Sequence, residues 1–482
     1  MTAGILPKNV QTSFEVFNDC FYGLVELHPL HIEIIDTPEF QRLRNIKQVA
    51  GAHFVYPGAT HSRFQHSIGA CHLAGKLVRR LKTKQPELEI TDGDVLCVEI
   101  AALCHHLGHG PFSYLFMDEF LPRAWKKETE ESEEKRNGES KQTTATQFKH
   151  EEVSVKMLDH LLNKNNLKKS MKKYNLNLPG DLNFIKDLIL GNKEESQERR
   201  DKPFLYDIVN NTVSGIDVDK FDSFARDCHH LGVKSNVDFN RLLLSARVCD
   251  AENRTQICYR DKELPHIYEM FRTRYRLHQK IYQHTVCAIE EMITEALLKA
   301  DGVIQVKGSN DRIFTLSTAI YDMEAYSKLT DHVFEEILYS SDPNLEQARA
   351  ILLRIVSRDL YKLVGEVVLE GSDDRKSCER ELSDLLGEDG VFVVKLVDIN
   401  YGITDETPFA FYSKDKPGVA FQLRLMGASP VEPKVFSEKL IRVYSRRVDI
   451  MAQAKECLEE WRKEYGFVEP SKRLPIDDGT RT

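Results

Sequence analysis

Apolar residues recur at helical spacing along most of the chain, so the pattern predicts a mainly α protein. The most apolar run, Val95 to Leu103, reads as a helix that ends in His105-His106-Leu107-Gly108-His109-Gly110-Pro111, where glycine and proline stop it. Asp36-Thr37-Pro38-Glu39 is a strong helix start, with a cap, a first-turn proline and an acid facing the helix dipole. Phe40, Leu43, Ile46 and Val49 continue that helix, leaving Gln41, Arg42, Arg44, Lys47 and Gln48 as a solvated basic face. Further helices are expected from His61 to about Leu81, from His150 to about Leu162, and across Gly215 to His230. Others span Met270 to Ile289, Ser317 to Leu338 and Asn344 to Val356. Phe17 to Leu27 reads as a hairpin and Arg247 to Arg260 as weakly strand-like. After Val364 the pattern changes. Val391 to Val397 and Ala420 to Leu425 are β-rich, and a final helix is expected from Val435 to about Tyr465. The expected organisation is a helical core over 15–365 and a smaller α+β lobe over 366–470, with tails at 1–14 and 471–482. The Glu/Lys/Ser-rich stretch 126–149 reads as a mobile acidic insertion.

At 482 residues the chain has room for two or three domains, or for one large core with appendages. A net charge of −9 argues against coating nucleic acid with the whole surface, while leaving room for a local phosphate pocket. No apolar run approaches the ~20 residues of a membrane span, and the first residues lack the apolar centre of a signal peptide. Ten cysteines without a CxxC pair disfavour zinc ribbons and a disulfide framework. A reducing compartment, cytosol or nucleus, is expected.

Four residues carry metal-ligand chemistry: His66, His105, His106 and Asp219. Three imidazoles and a carboxylate suit Fe, Mn or Zn and leave room for water. The plainer reading of the histidine run is a helix end where imidazoles meet the negative dipole. Arg274, His278 and Tyr282 recur at i, i+4 and i+8, so one helix presents all three to one volume. With Arg63 and Lys220 they would suit a polyphosphate and a sugar.

The set His66 … His105-His106 … Asp219 resembles the H…HD…D signature of HD-domain phosphohydrolases. More closely, the chain resembles the vertebrate family of sterile-alpha-motif and HD-domain-containing dNTP triphosphohydrolases. The resemblance rests on Asp36–Arg44, Ser62–Ser67, Gly215–Lys220 and Asp227–Gly232, and it runs from about Phe14 to Phe467. It implies a helical HD-domain core and hydrolysis of a dNTP to a deoxynucleoside and triphosphate. A divalent metal (Fe, Mn or Zn, with Mg on the nucleotide phosphates) would be held by His66, His105, His106 and Asp219. It also implies a tetramer assembled by GTP and dNTP activators, and a nuclear location. His150 and His278 match the residues at the reacting centre. Gln48 and Asp227 match sugar contacts, Arg63, Lys220 and Arg274 phosphate contacts, and Tyr282 the wall that excludes a 2′-hydroxyl. Val16, Asp36, Gln41 and Arg44 match a guanine-nucleotide site. Arg241, Arg260, Lys262, Arg358 and Lys362 match a second activator site, and Cys249 and Cys258 a redox pair. Where the family carries the Asp of the HD pair this chain has His106, and for a catalytic His and Asp it has Tyr114 and Met117. Ser223 replaces a tyrosine, and Glu15 and Thr285 replace lysines. Weakened hydrolysis is therefore expected. A catalytically impaired nucleotide-binding paralogue, or an interaction protein binding single-stranded nucleic acid, stand as alternatives.

Overall fold

The apolar run becomes the central helix, Asp92–Cys104, buried from Asp94 to Cys104 as an all-round apolar helix must be. A reciprocal cap starts it: the Thr91 hydroxyl accepts from the Asp94 amide at 3.0 Å, and the Asp94 carboxylate accepts from the Thr91 amide at 2.9 Å. The computed structural model describes residues 15–126, 148–192, 197–251, 254–369, 391–404, 406–423 and 436–464. Both expected tails and nearly all of the expected insertion lie outside them. The central helix packs against the helices Arg63–Lys84 and Gly180–Leu190. The helices His150–Lys164, Val218–Leu231, Leu264–Ile281 and His284–Ala300 complete a mainly α body, as the hydrophobic pattern predicts. None of the described helices is long and apolar enough to cross a membrane.

The strands form small sheets. β1 (Glu15–Asp19) and β2 (Gly23–Leu27) make the expected hairpin, and β3 (Arg247–Ala251) pairs antiparallel with β4 (Arg254–Arg260). β5 (Val306–Lys307) and β6 (Ile313–Phe314) form a short pair. β7 (Lys362–Leu369), β8 (Phe392–Asn400) and β11 (Ser437–Ser445) form a three-stranded sheet with β11 central, covered by the helix Met451–Glu464. β9 (Phe409–Tyr412) runs parallel to β4 and pairs with β10 (Phe421–Leu423), so strands from late in the chain extend the β3–β4 hairpin.

Four expected helices come out differently. The run expected from Met270 to Ile289 is two helices, Leu264–Ile281 and His284–Ala300, because the Gln283 side chain caps the second by accepting from the Thr285 and Val286 amides. The segment from 437 to 445 is a strand, not the start of the last helix. Leu440 to Ser445 are buried without interruption, because Leu440 and Tyr444 face the main core while Ile441 and Val443 face Trp461 and Leu458. A strand covered on both faces loses its alternating signal. The helix beginning at Pro38 ends at Gln41, passes through a 3₁₀ turn, and stops because Ile46 is extended and Lys47 bridges to Ser62. Between 317 and 338 the chain makes short turns (Ala319–Tyr321, Met323–Tyr326) before the helix Val333–Tyr339.

Two contacts hold the turn after the central helix. Arg42 is buried rather than solvated, and its guanidinium donates to the carbonyls of Leu107 (2.9 Å), His109 (2.8 Å) and Leu329 (3.2 Å). Gly108 lies against the start of the next helix: a Cβ there would stand 2.2 Å from the His150 carbonyl oxygen and 2.4 Å from the Ser154 nitrogen. That approach brings His150 beside the His105–His109 turn. Overpacking of this kind typically costs about 1–3 kcal/mol. Gly108→Ala is therefore expected to lower the thermal unfolding midpoint measurably, and an unchanged midpoint would show the turn to be loosely seated.

Candidate metal centre

Three elements deliver one cluster of donors. His66 sits in the first turns of the Arg63–Lys84 helix, His106 just past the end of the central helix, and Asp219 in the first turn of Val218–Leu231. Asp217 caps that last helix by accepting from the Lys220 amide at 3.0 Å, which fixes where Asp219 projects. Asp219 Oδ1 lies 2.9 Å from His66 Nε2 and 2.7 Å from His106 Nε2, and the two nitrogens are 2.8 Å apart. His105 Nδ1 lies 3.3 Å from His106 Nε2 and 3.9 Å from Asp219 Oδ1.

Behind this layer stands a second one. His66 Nδ1 faces Asp222 Oδ2 at 2.7 Å, and Arg226 grips the same carboxylate through Nε at 2.9 Å and Nη2 at 2.8 Å. Such a carboxylate fixes the tautomer and angle of the ring in front of it. Burial works against a charged His66, but Asp219 and Asp222 on its two nitrogens raise its pKa to about 9. The centre thus favours a positive charge between those carboxylates. Burial keeps His105, His106, His109 and His150 neutral, the form that ligates metals.

These residues fit a divalent cation. His66, His106 and Asp219 each offer a ligand atom within 4.8 Å of the others. Around a tetrahedral ion with bonds of about 2.0–2.1 Å, neighbouring donors stand about 3.3 Å apart, so this trio needs to open by roughly half an ångström. Arg63 opposes the fit in one respect. Its Nη1 lies 3.3 Å from His106 Nδ1, and a guanidinium only donates, so this contact favours the proton on Nε2. An ion on Nε2 displaces that proton and turns an N–H toward Arg63.

Other expected residues surround the centre. Gln48 Nε2 donates to Asp227 Oδ1 at 2.9 Å, and His61 Nε2 lies 2.6 Å from the same oxygen. Lys220 is paired with Asp217 at 2.7 Å. Arg274 Nε lies 3.3 Å from Asn400 Oδ1, and Gly402, at φ 74°, leaves it room: a Cβ there would meet Arg274 Nε at 2.6 Å. His278 and Tyr282 sit edge to face, ring centroids 5.3 Å apart, at the end of the same helix. His150 stacks on His109 at 4.4 Å and lies parallel to His106 at 5.5 Å.

An HD domain model matches residues 63–227, the span that holds His66, His105, His106, His150 and Asp219. The chain is 46% identical to a zebrafish (Danio rerio) protein, deoxynucleoside triphosphate triphosphohydrolase SAMHD1, over 96% of this chain and 77% of that one. It is 44% identical to the human (Homo sapiens) protein of the same name, over 95% and 75%. A SAMHD1 homolog of Dictyostelium discoideum is 35% identical over 94% and 82%. The chain belongs to the SAMHD1 family.

Within the SAMHD1 frame, the remaining matched positions fall in three places and a pair. Asp36 ends the helix Pro29–Ile35, Gln41 accepts from Arg44 Nε at 2.7 Å, and Arg44 covers the Phe64 ring at 3.6 Å; Val16 is exposed on β1. Arg241, Arg260 and Lys262 line a cavity of about 320 Å³ with Tyr412, whereas Arg358 and Lys362 are not among its lining residues. Arg358 instead donates to the Phe54 carbonyl at 2.8 Å, and Lys362 opens β7. Cys249 and Cys258 face each other diagonally on β3 and β4; a hydrogen bond from Cys258 lowers the Cys249 thiol and raises its own. Reasoning from sequence gave no role to Asp222, Arg226, His61 or His109. Asp222 was findable, three residues after Asp219 on one helical face. Arg226 and His61 carried no signal, since their partners are distant in the chain.

Asp222 ties the ligand shell to the core. Breaking a buried ion pair typically costs about 3–5 kcal/mol, and that loss is expected for Asp222→Asn at neutral pH. Burial opposes the Asp222 charge, but His66 and Arg226 hold its pKa below the usual carboxylate range. Its contribution is then complete above about pH 4 and fades as pH falls through the lower folded value. Unfolding curves should show the gap between wild type and Asp222→Asn narrowing below about pH 4; a constant gap would refute this charge assignment.

Proposed function

We propose that the chain is a metal-dependent dNTP triphosphohydrolase, slowed by its own substitutions. The observation that carries this reading is the donor cluster His66, His106 and Asp219, set among Arg63, Lys220 and Arg274, in a chain kin to SAMHD1 proteins over nearly its whole length. His66, His105, His106 and Asp219 would hold Fe, Mn or Zn. When bound, such an ion polarises a phosphoryl oxygen and acidifies water. Arg63, Lys220 and Arg274 place fixed positive charge where the triphosphate lies, which stabilises charge developing on its oxygens. His150 is kept neutral by burial and by neighbouring His105 and Arg63, so its Nε2 can take a proton from attacking water. Gln48 and Asp227, already joined, would hold the sugar, His278 would neighbour the phosphates, and Tyr282 would close the 2′ side.

Regulation belongs to the same reading. GTP would bind near Val16, Asp36, Gln41 and Arg44, and a dNTP at Arg241, Arg260, Lys262, Arg358 and Lys362, assembling a tetramer. The 366–470 segment would serve as the regulatory lobe, and the nucleus as the working compartment. Glu15 and Thr285 in place of lysines would loosen the dependence on activators. Light scattering with and without GTP plus dNTP is expected to show assembly on addition; a particle of constant mass would remove this part of the proposal.

A second reading, a nucleotide sensor with little turnover, is favoured by Met117. It is buried, and its sulfur lies 3.5 Å from the Tyr326 hydroxyl, so it offers no proton. Asp118 next to it is exposed and does not substitute. Loss of one general acid or base typically costs about 10²–10⁴-fold. Chromatography of dNTP, deoxynucleoside and triphosphate should show slow turnover abolished by a chelator. His106→Asp is expected to speed it, and His106→Asp with Tyr114→His and Met117→Asp to speed it further. Equal rates in all variants would mean that these substitutions do not matter, and no turnover in any folded variant would leave the sensor reading.

A further inference from the structure

The centre contains a second group of donors that the proposed reaction does not use together. His105, His106 and His150 each bring a nitrogen within 4.8 Å of the other two. The His105 ring stands at 88° to both others, while those of His106 and His150 are parallel to within 1°. His105 Nε2 and His150 Nε2 are buried with no hydrogen-bond partner among the described residues. Unpartnered buried nitrogens are uncommon, and two of them in one trio of imidazoles call for an occupant. His150 also has the orienting contact that a ligating histidine needs. Its Nδ1 lies 3.2 Å from Glu151 Oε2, which holds the proton on Nδ1 and leaves the lone pair on Nε2.

We propose that His105, His106 and His150 form an all-imidazole seat for a late first-row divalent cation of the Zn²⁺ or Cu²⁺ class, next to the His66, His106 and Asp219 seat and mutually exclusive with it. Exclusion follows from the shared rings, His106 and with it His105, because a neutral imidazole has one lone-pair nitrogen and can serve one ion at a time. Selectivity follows from the donors. The imidazole seat has no oxygen ligand and suits Zn²⁺ or Cu²⁺, whereas Mn²⁺ and Mg²⁺ favour a seat with a carboxylate. The seat exists because residue 106 is a histidine: an aspartate there would leave two imidazoles and a carboxylate. An ion so placed occupies the Nε2 lone pair of His150, and with it the nitrogen that would take the proton from water. Zn²⁺ or Cu²⁺ in this seat, rather than in the one with Asp219, would thus hold the centre in a state that cannot turn over. The seat rests on the reading of this centre as a metal site; its inhibitory effect alone rests on the proposed hydrolysis.

The test counts bound imidazoles on the full chain loaded with one equivalent of Cu²⁺, by pulsed electron paramagnetic resonance, or of Zn²⁺, by X-ray absorption. Three are expected in the wild type, still three in His66→Gln, and two when His150→Gln is added to His66→Gln. A count that falls in His66→Gln, or that stays at three in the double variant, overturns the proposal. His66→Gln decides alone, so a double variant that fails to fold, as judged by its unfolding curve, leaves the test informative, and His66→Asn serves where His66→Gln itself fails to fold. Absence of dNTP hydrolysis would sink the proposed function and leave these counts untouched.

Discussion

The carboxylate of Asp222 is the point through which the parts of this centre are fastened together. It is wholly buried and meets the imidazole of His66, two nitrogens of Arg226 and the hydroxyl of Tyr22, the last at 2.8 Å. Those partners come from the Arg63–Lys84 helix, the Val218–Leu231 helix and the turn between β1 and β2. Arg226 reaches on to Asp19 at 3.1 Å, so the hairpin is bound by charge as well as by packing. A buried ion pair gives little net stability, because desolvation offsets its attraction, but it tolerates few alternative arrangements. What it supplies here is position. Gly69 shows how closely the two helices approach: a Cβ there would stand 1.9 Å from Asp222 Oδ1. The angle of the His66 ring, and the place where Nε2 meets Asp219, follow from that approach.

Around this anchor the electrostatics are arranged for an anion. Burial lowers the Arg63 guanidinium to about 10 against the pull of Asp219 and Asp227, and it lowers Arg274 as well. Lys220 stays charged through Asp217 and Asp219, although burial opposes it. Cations kept this far from water are stabilised by any ligand that brings negative charge, and a polyphosphate brings several. The imidazoles of His105, His106, His109 and His150 adjoin these cations, Arg63 touching His106 at 3.3 Å, and burial keeps them neutral, so they add no positive charge of their own.

Much of this was legible in the chain, and the reasons differ from residue to residue. The central helix was readable because it is apolar all round and ends at glycine, and His105 and His106 were conspicuous at its end. Asp219 could be paired with them through the family resemblance, since no spacing links residues 66, 106 and 219. Arg42 was misread as solvated because a basic residue on a short helix carries no mark of the carbonyls waiting above it; those belong to Leu107, His109 and Leu329. β11 was misread because both its faces are covered. The tautomer preference that Arg63 imposes on His106 depends on a contact between residues 43 positions apart, which nothing local encodes.

Tyr114 and Met117 bring two uncharged side chains to the core beside the centre. Met117 fills core space beneath Tyr326, a position where a carboxylate would need a charged partner. Tyr114 donates its hydroxyl to Glu290, whose second oxygen is buried with no hydrogen-bond partner among the described residues. Burial raises the Glu290 carboxyl to about 7 even with Lys395 nearby, so it carries a proton over much of the acidic range. This part of the centre therefore holds a titratable carboxyl behind a phenol whose ring centroid lies 6.5 Å from that of Tyr282. The phenol itself stays protonated, because burial and Glu290 raise its pKa well above 10. Near neutral pH the group here that exchanges its proton is therefore the Glu290 carboxyl and not the phenol.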